Sequence, residues 1–436
     1  MLAFLQTNTP IVIFNQIVVT LLTVCFLYQV VFFVIGALRG EVAPPKAKKL
    51  HRYAFFIAAH NEEAVIANLV RSIKDQDYPS ELIEVFVVAD ACTDNTAQLA
   101  REAGAIVYER NDLARKGKSW VMDFGFDRIL NEYPDTFEGY FIFDADNVIS
   151  RDYVSKMNDA FDQGFHVVTS YRNSKNYGEN WISAGYALWF IRESRYLNNS
   201  RMLMGTSCAI SGTGFLFSRK VIESTNGWVF HLLTEDIEFS VYHILQGRTI
   251  GFCADAVLYD EQPATFRQSW RQRLRWARGF LQVFRKYGFG LVKGMGKGSF
   301  SCYDMSMTVM PAFLLTVALI VSYLVVGLSA LGGGVGSEIT FFQGLYYILQ
   351  MLAGLYGVLF VVGLFTTITE WENIHTTPAK KVLYTITFPI FMLTYIPISL
   401  VALFSRKVQW KPIQHHRADR RVLEAAAAGT KRIQNQ

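Results

Sequence analysis

Two kinds of hydrophobic pattern divide this chain. Residues 11–38 hold no charged side chain, and residues 305–332, 341–368 and 382–404 are equally apolar. Each can cross a hydrocarbon core of ~30 Å, which takes ~20 residues of helix, and each exceeds the usual buried helix of a water-soluble domain. Residues 53–260 read differently. Short apolar runs, YAFFIAA (53–59), VFVVA (85–89), AIVYER (105–110) and GYFIFDADN (139–147), end in polar clusters. Helical spacing follows the first run to about residue 75, and the turn CTDNT opens another helix with Thr93 or Asp94 as its cap. This alternation predicts an α/β domain, a parallel sheet with helices on both faces.

Ligands bind at the carboxyl ends of the strands in such sheets. The polar clusters fall there: His60-Asn61-Glu62, Asp90, Arg110-Asn111, and Asp144 with Asp146. Four in succession predict one nucleotide crevice. No G-x-G-x-x-G follows the first strand, which argues against a dinucleotide cofactor, and no G-x-x-x-x-G-K-[ST] occurs, which argues against a P-loop.

Particular residues carry the expected chemistry. Asp144 and Asp146 suit Mg²⁺ or Mn²⁺ with donor phosphates completing the shell; a polar turn is the plainer alternative. Asp90 can accept from the imide N–H of uracil, or close an Asx-turn. Lys118, in Arg115-Lys116-Gly117-Lys118, can reach a phosphate, or lie in a solvated basic loop. Glu235 and Asp236 precede the helical stretch IEFSVYHILQ, and Asp236 is the expected general base; acids also favour helix starts for electrostatic reasons alone. Ser211-Gly-Thr213-Gly214-Phe215 would let a sugar pass close to backbone, or form a strand-edge turn. In FRQSWRQRLRWARGFLQVFRK, a basic amphipathic helix reads as interfacial, with Gln272, Arg275 and Trp276 assigned to the site: Arg275 to a diphosphate, Trp276 as a platform under an acceptor sugar. His231, His415 and His416 lack metal spacing and read as surface or gating residues.

Composition places this chemistry at a membrane. Of 436 residues, 51% are hydrophobic and only 18% charged, and the net charge is +5. Basic residues cluster beside the apolar spans, which suits anionic lipid headgroups rather than nucleic acid. The first apolar stretch has no basic n-region and is too long for a signal peptide. Arg39, Lys46, Lys48, Lys49 and Arg52 flank it, so the positive-inside rule puts the N-terminus outside and the large middle segment in the cytoplasm. Three further spans would then leave the tail outside, yet SRKVQWKPIQHHRADRR is basic and reads as inside. Pro389 and Pro397 interrupt the last apolar segment, which is expected to be broken, re-entrant or partly interfacial. Cys25, Cys92, Cys208, Cys253 and Cys302 show no metal spacing and read as free reduced thiols.

These residues together resemble the membrane-embedded processive glycosyltransferases of family 2, the group of the cellulose, chitin, hyaluronan and poly-N-acetylglucosamine synthases. AAHNEE is similar to a P-x-x-N-E opening, with Ala58 where proline is usual. VVADACTDNT is similar to V-V-D-D-x-S-x-D, with Ala89 in place of the first Asp and Asp90 matching the second. Asp144-Ala-Asp146 matches D-x-D, Thr234-Glu235-Asp236 the catalytic-base motif, and Gln272-Arg-Leu-Arg275-Trp276 the Q-x-x-R-W motif. The resemblance implies a GT-A fold, a Rossmann-like mixed sheet joined to transmembrane helices. It also implies an inverting mechanism with a UDP-sugar donor and Mg²⁺ or Mn²⁺. Asn61, Glu62, Asp90, Lys118 and Asp144 would serve the donor, and Asp144 and Asp146 the metal. Thr213, Glu235, Gln272, Arg275 and Trp276 would serve acceptor and diphosphate, with Asp236 as base. The expected product is a growing β-linked polysaccharide exported through the spans of a plasma-membrane protein, aided by a second copy or an accessory subunit; the alternative is a single sugar on a membrane lipid. The expected organisation is an N-terminal span (1–40), a cytoplasmic transferase domain (41–263), an interfacial helix region (264–300), C-terminal spans (301–405) and a basic tail (406–436).

Overall fold

The computed structural model describes residues 10–41, 43–310 and 341–405, with isolated positions between 314 and 325 and at 424. A long apolar helix, α1 (Pro10–Arg39), leads into eight strands: β1 (Tyr53–Ala59), β2 (Ile83–Asp90), β3 (Ile106–Arg110), β4 (Gly139–Asp144), β5 (Val148–Ile149), β6 (Val167–Ser174), β7 (Phe215–Ser218) and β8 (Ile250–Asp260). They form one sheet in the order β3-β2-β1-β4-β7-β6-β8-β5.

The four strands legible as apolar runs are the parallel half. β1 pairs with β2 and β4, and β2 with β3, all parallel. β1 shows why it is one continuous apolar run. Tyr53, Phe55 and Ile57 point into a core with Ile66, Leu69, Val70 and Ile73 of α2 (Ile66–Lys74). Ala54 and Phe56 point the other way, into a core with Met122, Phe126 and Ile129 of α4 (Lys118–Glu132). Successive side chains face opposite sides of a strand, so a strand covered on both faces is apolar throughout.

The other half corrects the expectation of a parallel sheet. β7 runs antiparallel to both β4 and β6, β5 antiparallel to β8, and β6 parallel to β8. The sheet is mixed, in keeping with the GT-A expectation. β8 is buried along all 11 residues, so it offered no alternation to read. The expected strand 139–147 ends at Asp144, and Asp146 lies in the turn beyond.

Three shorter elements frame the sheet's carboxyl edge: α6 (Trp181–Arg192), α7 (Asn199–Leu203) and α9 (Glu235–Leu245). α3 (Thr96–Glu102), α5 (Tyr153–Phe161) and α8 (Arg219–Ser224) complete the layers. α10 (Phe266–Gly296) then runs for 31 residues, and α11 (Phe300–Val309), α12 (Phe341–Thr369), α13 (Pro378–Leu393) and α14 (Tyr395–Phe404) follow. Among the described residues three stretches are long and apolar enough to cross a membrane: Gln16–Arg39, Leu349–Thr369 and Pro378–Phe404. Of the expected span 305–332, Met305–Val309 belongs to α11 and is largely buried; most of the remainder lies outside the described residues, as does nearly all of the tail 406–436 with His415 and His416. The five cysteines form no disulfide.

The last apolar segment is broken, as its prolines foretold, yet it remains one 27-residue candidate span. The break falls at Thr394, between α13 and α14. Pro397 has no N–H to return to the preceding turn. Arg273 of α10 answers there: its Nη1 donates to the Phe391 carbonyl (3.1 Å) and to Thr394 Oγ1 (2.7 Å). Arg273 is wholly buried, with its guanidinium 4.4 Å from the Phe391 ring and 5.0 Å from that of Tyr395. Replacing Arg273 with Met should cost about 1–3 kcal/mol, the worth of hydrogen bonds from a charged donor to buried acceptors. Thermal unfolding in detergent would show a lowered midpoint, partly restored in Arg273→Lys; an unchanged midpoint would refute the latch.

Candidate active site

The carboxyl ends of β1, β2 and β4 open onto one cavity of about 2610 Å³. At its floor, β2 ends in Asp90 and β3 in Arg110, which are register partners. Arg110 Nη1 donates to Asp90 Oδ1 (2.5 Å), and its Nη2 to the Arg115 carbonyl (2.6 Å), which ties down the loop before α4. Gly117 caps that helix at φ 112°, a conformation that strains any residue with a side chain, and so delivers Lys118 at the helix start.

Lys118 is the hub. Its Nζ donates to Asp144 Oδ1 (2.5 Å) and to the Gly212 carbonyl (2.8 Å), and lies 3.8 Å from Glu235 Oε1. Burial alone would lower its pKa, but Asp144, Glu235 and Asp236 outweigh burial and hold it above the ordinary lysine value. Glu235 and Asp236 open α9. Burial drives the Glu235 carboxyl up to about 7, against the pull of Lys118 and with help from Asp236. Asp236 is raised for the same first reason, burial, opposed by the Ile237 N–H, Lys118 and Arg275.

Asp146 belongs to a second group at the ends of β6 and β8. Its Oδ2 accepts from the Glu261 N–H (3.1 Å), and Asn147 Nδ2 donates to Asp260 Oδ1 (3.0 Å). Arg172 donates through Nε to Asp260 Oδ2 (2.9 Å) and through Nη1 to the Ser211 carbonyl (2.5 Å). Burial, then the neighbouring Asp260, pushes Asp146 well above the usual carboxylate range, whereas Arg172 overcomes burial and holds Asp260 below it. Glu62 is driven up to about 8 by burial, then by Asp144 and Glu261.

This donor set fits a divalent cation. Asp144 and Asp146 offer hard oxygen ligands, and Asp146 is a buried acid whose ionised form calls for added positive charge. Among the described residues no group of three or more His, Cys, Asp or Glu is arranged for a metal, so other oxygens, such as a ligand's phosphates, must complete the shell.

Across the cavity stands α10. Residues at i, i+3 and i+4 share a helix face, and Gln272, Arg275 and Trp276 all line the cavity. Arg275 Nη1 donates to the Leu233 carbonyl (2.9 Å), just before the acidic pair. Trp276 meets Tyr186 and Phe190 edge-on, at 5.7 and 6.1 Å between ring centres. Gln272 Oε1 is buried with no hydrogen-bond partner among the described residues.

The cavity therefore brings together Glu62, Asp90, Lys118, Asp144, Asp146, Glu235, Asp236, Gln272, Arg275 and Trp276. Two expected residues do not line it. Asn61 turns its Oδ1 to the Thr93 N–H (2.8 Å), bracing the β1 and β2 loops. Thr213 is buried behind Asp144, whose N–H donates to Thr213 Oγ1 (2.9 Å); that hydroxyl in turn donates to Asn147 Oδ1. Both brace loops that line the cavity. His231 lines the cavity stacked on Trp120, at 4.0 Å between ring centres. Sequence reasoning missed Arg172, Asp260 and Glu261. The strand-end rule that flagged Asp144 would have found the last two, since VLYDEQ ends β8.

Towards the membrane helices the lining changes. Leu22, Phe26 and Val30 of α1, Leu355, Val358 and Val362 of α12, and Met392 and Ile396 form the far wall.

Residues 51–279, more than half of the chain, match the family described as "Glycosyltransferase like family 2". The chain is 28% identical over 263 residues to a probable glycosyltransferase, YdaM, of Bacillus subtilis, covering 55% of this chain and 58% of that protein. It is 27% identical over 291 residues to a β-monoglucosyldiacylglycerol synthase of Nostoc (61% and 57% covered), and 24% over 253 residues to a poly-β-1,6-N-acetyl-D-glucosamine synthase of Staphylococcus aureus (56% and 58%). The matched part thus spans less than two thirds of these relatives. Among solved structures, the mannosyltransferase PcManGT of Pyrobaculum calidifontis, in complex with GDP-Man and Mn²⁺, shares the fold. Its TM-score is 0.57 at 16% identity, over 90% of this chain and 100% of that one.

The acidic pair gives a prediction that needs no substrate. An infrared difference titration of wild-type against Glu235→Gln protein should show a carboxyl group losing its proton with a midpoint near pH 7. Lys118→Met should move that midpoint upward, because the ammonium favours the ionised form. A midpoint in the ordinary carboxylate range would refute this arrangement.

Proposed function

This chain belongs to glycosyltransferase family 2, and we propose that it moves a sugar from a UDP-sugar, with inversion, onto a hydroxyl of a membrane lipid. The observation that carries this reading is the single cavity running from the acids at the strand ends to an aliphatic wall on α1 and α12. A hydrocarbon tail loses little by resting there, whereas a sugar chain would leave its hydroxyls without partners.

Asp90, steadied by Arg110, accepts from the uracil imide. Lys118 and Arg275 offset the charge of the donor diphosphate. When bound, Mg²⁺ or Mn²⁺ at Asp144 and Asp146 adds positive charge beside that leaving group. Asp236 takes the proton of the acceptor hydroxyl while the oxygen attacks the anomeric carbon from the side opposite the diphosphate. The bond from C1 to the diphosphate oxygen breaks as the new one forms, so an α-linked donor gives a β-linked product. The raised pKa of Asp236 makes it a stronger base than a solvated aspartate. Lys46, Lys48 and Lys49 beside α1 support the reading that this chemistry runs at the cytoplasmic face of the plasma membrane.

A processive polysaccharide synthase, alone or with a second copy or accessory subunit, is the second reading. One observation favours it: Trp189, Phe190, Trp276 and Tyr395 line the same cavity, and such rings can carry sugars. Purified protein in nanodiscs, supplied with radiolabelled UDP-sugars and membrane lipids, separates the two. A lipid bearing one sugar is expected; a long insoluble polymer would overturn the lipid reading.

Two substitutions test the roles. Asp236→Asn should lower turnover by ~10²–10⁴-fold, the usual worth of general base catalysis, with UDP affinity retained. Undiminished turnover would remove Asp236 from the mechanism. Asp144→Asn should weaken Mn²⁺-dependent UDP binding in calorimetry by about tenfold, as loss of one charged ligand would. Unchanged Mn²⁺ dependence would remove Asp144 from the metal site.

A further inference from the structure

Three arginines near the candidate spans are neutralised by carboxylates. Arg172 pairs with Asp260, Arg195 with Glu41 (3.2 Å) and Glu370 (3.3 Å), and Arg201 with Asp304 (2.6 Å). Arg192 is different. Among the described residues no carboxylate lies within 4.0 Å of it. Its Nη2 donates to Gln29 Oε1 of α1 (2.9 Å), and its guanidinium lies 4.8 Å from the Trp189 ring. Glu193, the nearest acid in sequence, instead accepts from Ser211 Oγ (2.9 Å). Burial pulls the pKa of Arg192 down to about 10, which still leaves it charged at neutral pH.

The position is as telling as the charge. Arg192 and Gln29 line the same cavity as Asp236, at the level where polar lining gives way to Phe26 and Val30. Arg192 is also the last residue of α6, before the six-residue π-turn Glu193–Asn198, a widened helical turn that often accompanies functional sites. Arg192 is half-buried and makes no ion pair among the described residues, with Glu193 acting on it only at longer range; a ligand phosphate would offer it paired, charge-assisted hydrogen bonds. We propose that Arg192, with Gln29, binds the phosphate of the lipid acceptor. The hydrocarbon then lies along α1 and α12, and the accepting headgroup hydroxyl reaches Asp236. This rests on the lipid-acceptor reading and narrows it to phosphate-bearing lipids.

The test compares three acceptors in nanodiscs with one UDP-sugar: phosphatidylglycerol, a polyprenyl phosphate and diacylglycerol. Wild-type protein should favour phosphatidylglycerol over diacylglycerol by ~10–100-fold in kcat/KM, the worth of a charge-assisted hydrogen bond or two. Arg192→Gln should erase that preference through the acceptor KM, Arg192→Lys should keep part of it, and the UDP dissociation constant should not move. Transfer to polyprenyl phosphate, which has no hydroxyl and accepts through the phosphate oxygen itself, would place the phosphate at the reacting carbon rather than at Arg192 and would overturn the proposal. Preference for diacylglycerol, or a preference surviving in Arg192→Gln, would overturn the proposal while leaving the lipid-acceptor reading intact. A variant that also loses UDP binding would reassign Arg192 to a structural role. Elongation of a free glycan with no lipid product would overturn the lipid-acceptor reading itself, and this proposal with it.

Discussion

Packing several carboxylates into one cavity is the constraint this structure has to meet, and Lys118 is the group that meets it. Asp144, Glu235 and Asp236 come from β4 and α9, more than 90 residues apart in sequence. Brought together with no cation, they would repel one another and take up protons. The Lys118 ammonium sits 2.5 Å from one and 3.8 Å from another, and Gly117 places it there. The same balance leaves Glu235 with a pKa near neutrality rather than fully protonated, a state suited to proton transfer at physiological pH.

The mixed sheet gives that constraint its geometry. Parallel strands β2, β1 and β4 present Asp90, the His60–Glu62 turn and Asp144 along one edge. Reversal at β7 lets β6 and β8 bring a second set, Arg172, Asp260 and Glu261, to the same edge, where Asp146 meets them. Burial makes Asp146 reluctant to ionise, and Asp260, held ionised by Arg172, adds to that reluctance. Each acidic group therefore has its own cation, Lys118 for one and Arg172 for the other.

How much was legible in the sequence follows from this arrangement. The parallel half could be read because strands buried on both faces form unbroken apolar runs ending in polar clusters. Asp90 and Asp144 could be located for the same reason, and the acidic pair by its motif before a helical stretch. The antiparallel half could not. β5 has two residues and β7 four, too short to show a period, and β8 is buried throughout, which hides its direction and partners. Asn61 and Thr213 lie beside the cavity rather than on its wall, because a motif position gives proximity, not the direction in which a side chain points. Arg192 and Arg172 carry no motif at all; their significance comes from which neighbours lack or possess a counter-charge, and only tertiary packing decides that.

Helix α10 shows how the catalytic and membrane parts are mechanically joined. One turn carries both attachments, because residues two apart on a helix lie about 200° apart around its axis. Arg275 therefore faces the acidic pair, while Arg273, two residues earlier, turns to the other side and holds the break at Thr394. Arg275 in turn holds the Leu233 carbonyl, one residue before Thr234 and the acidic pair. Leu233, Arg275, Arg273 and Phe391 thus form one chain of hydrogen bonds and helix backbone, linking the start of α9 to the last candidate span. The two arginines thus serve different neighbours: Arg273 meets a carbonyl at the helix break in the last candidate span, and Arg275 a carbonyl just before the acidic pair.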